Sequence, residues 1–242
     1  MVRKPPAVLI QVAAALAALA AFDQVAPHIA GSAVTAIQVA GLSLISIPLA
    51  TLVPRAMRPP TTVGLQLLGA FGGAVAVTAL LIWAGYPGTP ATLAKLCAAS
   101  VLGVALGSLL QSTAEIVGIA LLIAAVDIYS VAAGPTRVIV EHHVEVLNAF
   151  TLAFHPLGSE GVAQIGASDF VFFAVFLAAA ARFHLRRDAS WLAMTASFGA
   201  TLMLSYLFDH ALPALPLLSL SFLAVNAGPL RARLRAPRDG RS

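Results

Sequence analysis

The chain has 242 residues, 60% of them hydrophobic and 10% charged, with a formal net charge of +4 and a mean hydropathy of +0.92. Soluble domains carry nearer ~25% charged residues, so this composition excludes an ordinary globular protein and a disordered chain. The positive balance does not point to nucleic acid, because five of the fourteen basic residues (Arg231, Arg233, Arg235, Arg238, Arg241) crowd into a short tail after the last apolar run, which is how a cytoplasmic membrane flank looks.

Long apolar runs indicate an all-α polytopic membrane bundle, since a helix satisfies its own backbone in hydrocarbon. The alternating ten-residue segments of a β-barrel are missing. Eight spans are expected, at roughly 6–22, 31–53, 62–84, 91–110, 112–132, 166–184, 190–208 and 213–230. Each is near the ~20 residues that cross ~30 Å. Met1-Val-Arg-Lys4 before an Ala/Leu-rich run also fits a signal peptide. We take the run as a retained helix, and its removal would not change the orientation of the later spans.

Breakers mark the loops: Pro54 and Arg55-Ala-Met-Arg-Pro-Pro60 after the second span, and Gly85-Tyr-Pro-Gly-Thr-Pro90 after the third. Only Gln111, Ser112 and Thr113 divide the fourth from the fifth. The whole reads as one membrane domain: N-terminal helices over 1–111, a second group over 112–230, a connection at 133–165 within that group, and a basic tail at 231–242. The glycines Gly69, Gly72, Gly73, Gly103 and Gly107 read as helix-packing positions. Trp83, Tyr86 and Trp191 read as interface anchors.

Lys and Arg set the orientation. Arg3 and Lys4, Arg55 and Arg58, Arg182 with Arg186 and Arg187, and the tail all fall on one parity of loops. The expectation is N- and C-termini in the cytoplasm of a prokaryotic cell with 133–165 outside. On this topology Asp127 lies roughly 8 Å from the outer end of its span. Asp169 lies about one turn from the outer end of the next.

A carboxylate in a membrane helix is costly and is a functional-site hypothesis by default. Two held close cannot both ionise cheaply, so they share a proton near neutral pH. One then takes a proton from water while the other protonates a peptide carbonyl, as in aspartic proteases. Small Gly166, Ala167 and Ser168 beside Asp169 allow close approach of another backbone. Pro213 and Pro216 keep the start of the last span from regular helix.

These residues resemble the presenilin and signal peptide peptidase family of intramembrane aspartyl proteases. Val126-Asp-Ile-Tyr-Ser-Val131 is similar to the family's Tyr-Asp motif. Gly166-Ala-Ser-Asp169 with Phe170-Val-Phe-Phe173 is similar to its Gly-x-Gly-Asp motif, and Leu212-Pro-Ala-Leu-Pro216 matches its Pro-Ala-Leu motif. The likeness covers about 112–230. It implies that Asp127 and Asp169 are the catalytic pair. Gly166, Ser168, Pro213, Ala214, Leu215 and Tyr129 would shape the site and meet the substrate. It implies nine spans rather than eight, no cofactor, and substrates that are single-span membrane proteins or leftover signal peptides in the lipid bilayer. Val126 and Ser168 depart from the family pattern. The oligomeric state is not legible.

Other readings stay open at this point. A proton- or cation-coupled transporter or channel also uses intramembrane acids and a Pro-broken helix, although both acids lie in the second half without counterparts in the first. A catalytically inactive relative is another, and a prepilin-peptidase-like enzyme a third. Glu141-His-His-Val-Glu145 with His155 invites a metal reading, but it lacks the His-Glu-x-x-His spacing, so no metal is expected. Glu115 reads as interfacial, and Asp23 and Asp209 as outer-boundary residues. The single Cys97 lies inside an apolar run and permits no intrachain disulfide.

Overall fold

The computed structural model describes residues 5–29, 35–57, 59, 65–85, 88–133, 150–159, 161–209 and 212–235. Arg3, Lys4, Arg58, Tyr86, Arg137, Glu141 to Glu145, Glu160, Arg238 and Arg241 lie outside them. The order is α1 Pro5–Val25, α2 Thr35–Ala56, α3 Leu65–Trp83, α4 Thr89–Leu109, α5 Thr113–Ala133, β1 Thr151–Phe154, β2 Ala163–Gly166, α6 Ala167–Arg182, α7 Arg187–Phe208, α8 Leu215–Val225 and α9 Ala227–Arg235. The protein is an α-helical membrane bundle.

Helices stand at all eight expected places, but the count of eight spans is not reached among the described residues. Five helices are long and apolar enough to cross, or six if the bent pair α8–α9 is one span. Three segments fall outside those five: α3, a shorter apolar helix over Gly69–Trp83, and two that differ from expectation for a clear cause. The sixth, α6, has only 16 residues, a rise of about 24 Å, because Arg182 and the turn after it end the helix. The eighth does not run through 213–230. It stops at Val225 and bends by 71° into α9. The bend is built on Asn226, which is fully buried. Its Nδ2 donates to Ser190 Oγ (2.7 Å) and to the Phe222 carbonyl (2.9 Å), and its Oδ1 accepts the Arg186 N–H (3.0 Å). A side chain that bonds the backbone this way competes with the helical ladder. Arg231, Arg233 and Arg235 accordingly sit on a helix rather than in an extended tail.

The central helix is α6. Residues Phe173 to Ala180 are all buried, as expected of a helix that is apolar all round. Its partner along most of its length is α4, through two small-residue pairs. A Cβ added at Gly103 would lie 2.2 Å from the Val171 carbonyl oxygen, and one at Gly107 would lie 2.7 Å from both the Val175 oxygen and Ala178 Cβ. With Ala174 and Ala178 on α6, the interface is small-xxx-small on both sides, which lets the backbones meet. The packing role expected for Gly103 and Gly107 therefore holds. For Gly69, Gly72 and Gly73 an added Cβ would meet nothing within 4 Å among the described residues.

The aromatic continuation of α6 ties it to everything else. Phe176 stacks on Phe222 of α8 (centroids 4.7 Å), Phe173 on Phe198 of α7 (5.6 Å), and Phe170 meets Phe198 (5.5 Å) and Phe154 of β1 (6.4 Å). Spacings of three place these rings on one side of the helix. α2 runs against α7 through a polar ladder: Ser43 Oγ donates to the Gly199 carbonyl (3.3 Å), the Thr51 and Thr195 hydroxyls bond (3.1 Å), and Arg55 pairs with Asp188 (3.2 Å). A π-helical turn, Leu42–Ser46, interrupts α2 just before Pro48. Pro48 has no N–H and its ring crowds the carbonyl four residues back, which a widened turn accommodates.

The break between α4 and α5 is where it was expected, and a capping box builds it. The Glu115 N–H donates to Ser112 Oγ (3.2 Å), while the Glu115 carboxylate accepts the Ser112 hydroxyl and the Gln111 N–H (both 2.9 Å). Glu115 is exposed at the helix start, in keeping with an interfacial residue.

Substituting Gly103 by Val should lower the thermal midpoint in detergent by several degrees, an overpacking cost of ~1–3 kcal/mol. Gly72→Val should leave it nearly unchanged. Equal shifts in differential scanning fluorimetry would contradict the α4–α6 contact.

Candidate active site

The two intramembrane acids enter from successive helices. Asp127 lies on α5, six residues before its end at Ala133, and Asp169 is the third residue of α6. Both side chains are partly buried, and the helices that carry them each pack against α8. Asp127 Oδ2 accepts the Leu215 N–H at 3.0 Å. That N–H is the first of α8, one of the donors a helix leaves unpaired at its start. Pro216 comes next, with no donor of its own. A carboxylate from another helix thus caps α8 and sits at the positive end of its dipole. The sequence stretches around Asp127 and the Pro-Ala-Leu segment meet at this bond.

Pro213 and Ala214 precede α8 and are partly exposed, while Leu215 is buried. The Leu212 N–H is held by Ser205 Oγ (3.1 Å), and helix begins only at Leu215, so Pro213 lies in an irregular entry, whereas Pro216 sits in the first turn of α8, where a proline is tolerated. Gly166 ends β2 and stands as the residue before α6. A Cβ there would lie 3.2 Å from both Asp169 Oδ2 and Ser168 Oγ, so the glycine leaves the approach to Asp169 open. Ser168 is exposed beside it. Tyr129 is not brought to the carboxylates. Two residues on from Asp127 puts it about 200° round the helix, and it is 65% exposed.

A two-stranded antiparallel hairpin, not anticipated in an all-α reading, leads directly into α6. Thr151 pairs with Gly166 and Phe154 with Ala163. The far edge of β1 is covered by α4: Lys95 Nζ donates to the Thr151 carbonyl (3.1 Å), and the Ala153 N–H donates to Thr92 Oγ1 (3.3 Å). The sequence signal was present. Short runs at Thr151–Phe154 and Val162–Ile165 flank the breakers His155-Pro-Leu-Gly158, which is a hairpin pattern.

The hairpin is latched to α1 and α4 by a buried acid that sequence reasoning set aside. Asp23, near the end of α1, is 4% exposed. Its Oδ1 accepts the His155 N–H (2.8 Å), its Oδ2 meets His155 Nδ1 (3.1 Å), and Thr89 Oγ1 donates to the same oxygen. The Gly158 N–H donates to the Ala26 carbonyl (2.7 Å). Among the described residues no group of three or more His, Cys, Asp or Glu gathers as a metal site. His155 is instead engaged with Asp23. Trp191 is not a bare interface anchor either, because the Arg55 guanidinium lies 4.1 Å over its ring.

This is an α-helical membrane bundle in which a carboxylate of one helix caps the start of another. No family model matches the chain. Over 61 residues, a quarter of its length, it is 44% identical to a presenilin-like protein of Arabidopsis thaliana, and the match takes in 15% of that protein.

Asp127→Asn retains an acceptor for the Leu215 N–H and should keep the thermal midpoint close to that of the parent, whereas Asp127→Leu should lower it by the ~1–3 kcal/mol of an unpaired buried donor. Asp23→Ala should release the 155–158 turn and speed its proteolysis. A turn cut no faster in the variant than in the parent would contradict the latch.

Proposed function

We infer that the protein is an intramembrane aspartyl endopeptidase of the presenilin and signal peptide peptidase kind. The observation that carries this reading is the bond from the first N–H of α8 to Asp127, with Asp169 on the helix that packs against α8. The partial likeness to a presenilin-like protein supports it. One carboxylate holds a water and takes its proton, and the other protonates the scissile carbonyl. The tetrahedral intermediate then collapses as the amide nitrogen leaves with a proton from the pair. Neither step needs a cofactor.

The substrate must arrive locally unwound, since a helix hides its peptide bonds in its own hydrogen bonds. The irregular Leu212–Ala214 entry and the hairpin before α6 supply non-helical backbone at the site for it to pair with. The parity of the basic loops favours termini in the cytoplasm and the hairpin outside, so that single-span proteins of type II orientation and leftover signal peptides fit best. All eight helical segments crossing the bilayer in turn, with α3, α6 and the α8–α9 pair as short or bent spans, is part of the same proposal.

Asp169→Asn and Asp127→Ala should each cut hydrolysis of a single-span peptide in detergent by about 10²–10⁴-fold or more, with helical circular dichroism unchanged. Retained cleavage in either folded variant would sink the mechanism.

A further inference from the structure

The opposite end of the bundle, where the arginines gather, holds an open cavity of about 560 Å³, a size typical of small-ligand sites. Gln11, Ala14 and Ala18 of α1 form one wall, Arg55 of α2 another, and Arg187 and Asp188 from the first turn of α7 close it. The space exists because α1 presents alanines where larger side chains would fill it. No step of the proposed proteolysis uses it.

Its chemistry is that of a phosphate site. Two guanidinium groups face one carboxylate. Both are held in place: Arg55 lies over the Trp191 ring, and Arg187 Nη2 donates to the carbonyls of Arg55 (2.6 Å) and Met57 (2.8 Å) at the end of α2. Prior fixing of this kind lowers the entropy lost on binding, and the guanidinium fork matches phosphate oxygens. The Asp188 partner of Arg55 is 81% exposed. An ion pair so open to solvent is worth little, and a phosphate can displace it. The depth also fits. Arg55 is the penultimate residue of α2 and Arg187 the first of α7, which is headgroup level for helices that span a bilayer. The cavity opens beside α1, whose Leu9 and Ile10 are 70% and 67% exposed.

We propose that this cavity binds the phosphate headgroup of an anionic phospholipid, with the phosphate oxygens between Arg55 and Arg187 and the tail along α1. The test uses the full chain in neutral detergent, with the thermal midpoint read against added short-chain phosphatidylglycerol, phosphatidylcholine or inorganic phosphate. Phosphatidylglycerol should raise the midpoint saturably, and more than either of the others. Arg55→Gln should weaken its apparent affinity at least about tenfold. Ala14→Leu, which fills the cavity without altering charge, should do the same, so a folding defect in one variant leaves the other to decide. Equal responses to phosphatidylglycerol and phosphatidylcholine, or an undiminished response in a folded variant, would overturn the site. An equal response to inorganic phosphate would overturn the lipid as its source.

Discussion

An ionisable side chain inside a bilayer must find a partner, and that constraint organises one end of this protein. Asp127 finds the first N–H of α8, a donor that the helix cannot satisfy itself. The bond answers two problems at once, a carboxylate in a poor solvent and an uncapped helix. It also brings α8, and with it Pro213 and Ala214, beside α5. Asp169 then shares the neighbourhood because α6 packs against α8 through Phe176 and Phe222.

What holds Asp169 in place is less the acid than the helix beneath it. The glycine and alanine contacts between α4 and α6 allow a backbone approach that no larger residue permits. Without a hydrophobic driving force between helices in lipid, such close packing and buried polar bonds are what remain to fix a bundle. At the top of α6 the hairpin continues this rigidity outward. Its β1 edge is held by Thr92 and Lys95, and its turn by Asp23. One face of the site is therefore a short sheet, and the other an irregular helix entry.

Much of this was legible in the sequence, for reasons that differ by element. Hydropathy located α1 to α8 because apolar runs of near-membrane length are a strong signal. It could not see that Asn226 would bend the last one, since that depends on the Ser190 and Arg186 groups it meets across the bundle. Asp127, Asp169 and the Pro-Ala-Leu stretch stood out because acids and prolines are rare in such runs. Asp23 did not, because its burial comes from Thr89 and from the His155 region, 132 residues away. The glycines divide the same way. Gly69-x-x-x-Gly73 and Gly103-x-x-x-Gly107 have the same spacing, but among the described residues only the second pair has another helix's backbone against its Cα positions.

The most direct test of the account is whether the two acids meet. In a Cys97→Ser background, which removes the chain's single cysteine, Asp127→Cys and Asp169→Cys would be introduced together and treated with a short bifunctional thiol reagent. Both positions should become linked in the folded protein in membranes, detected as a joined peptide pair after digestion. Ready alkylation of each thiol without any link between them would contradict a shared site, and with it the proteolytic reading.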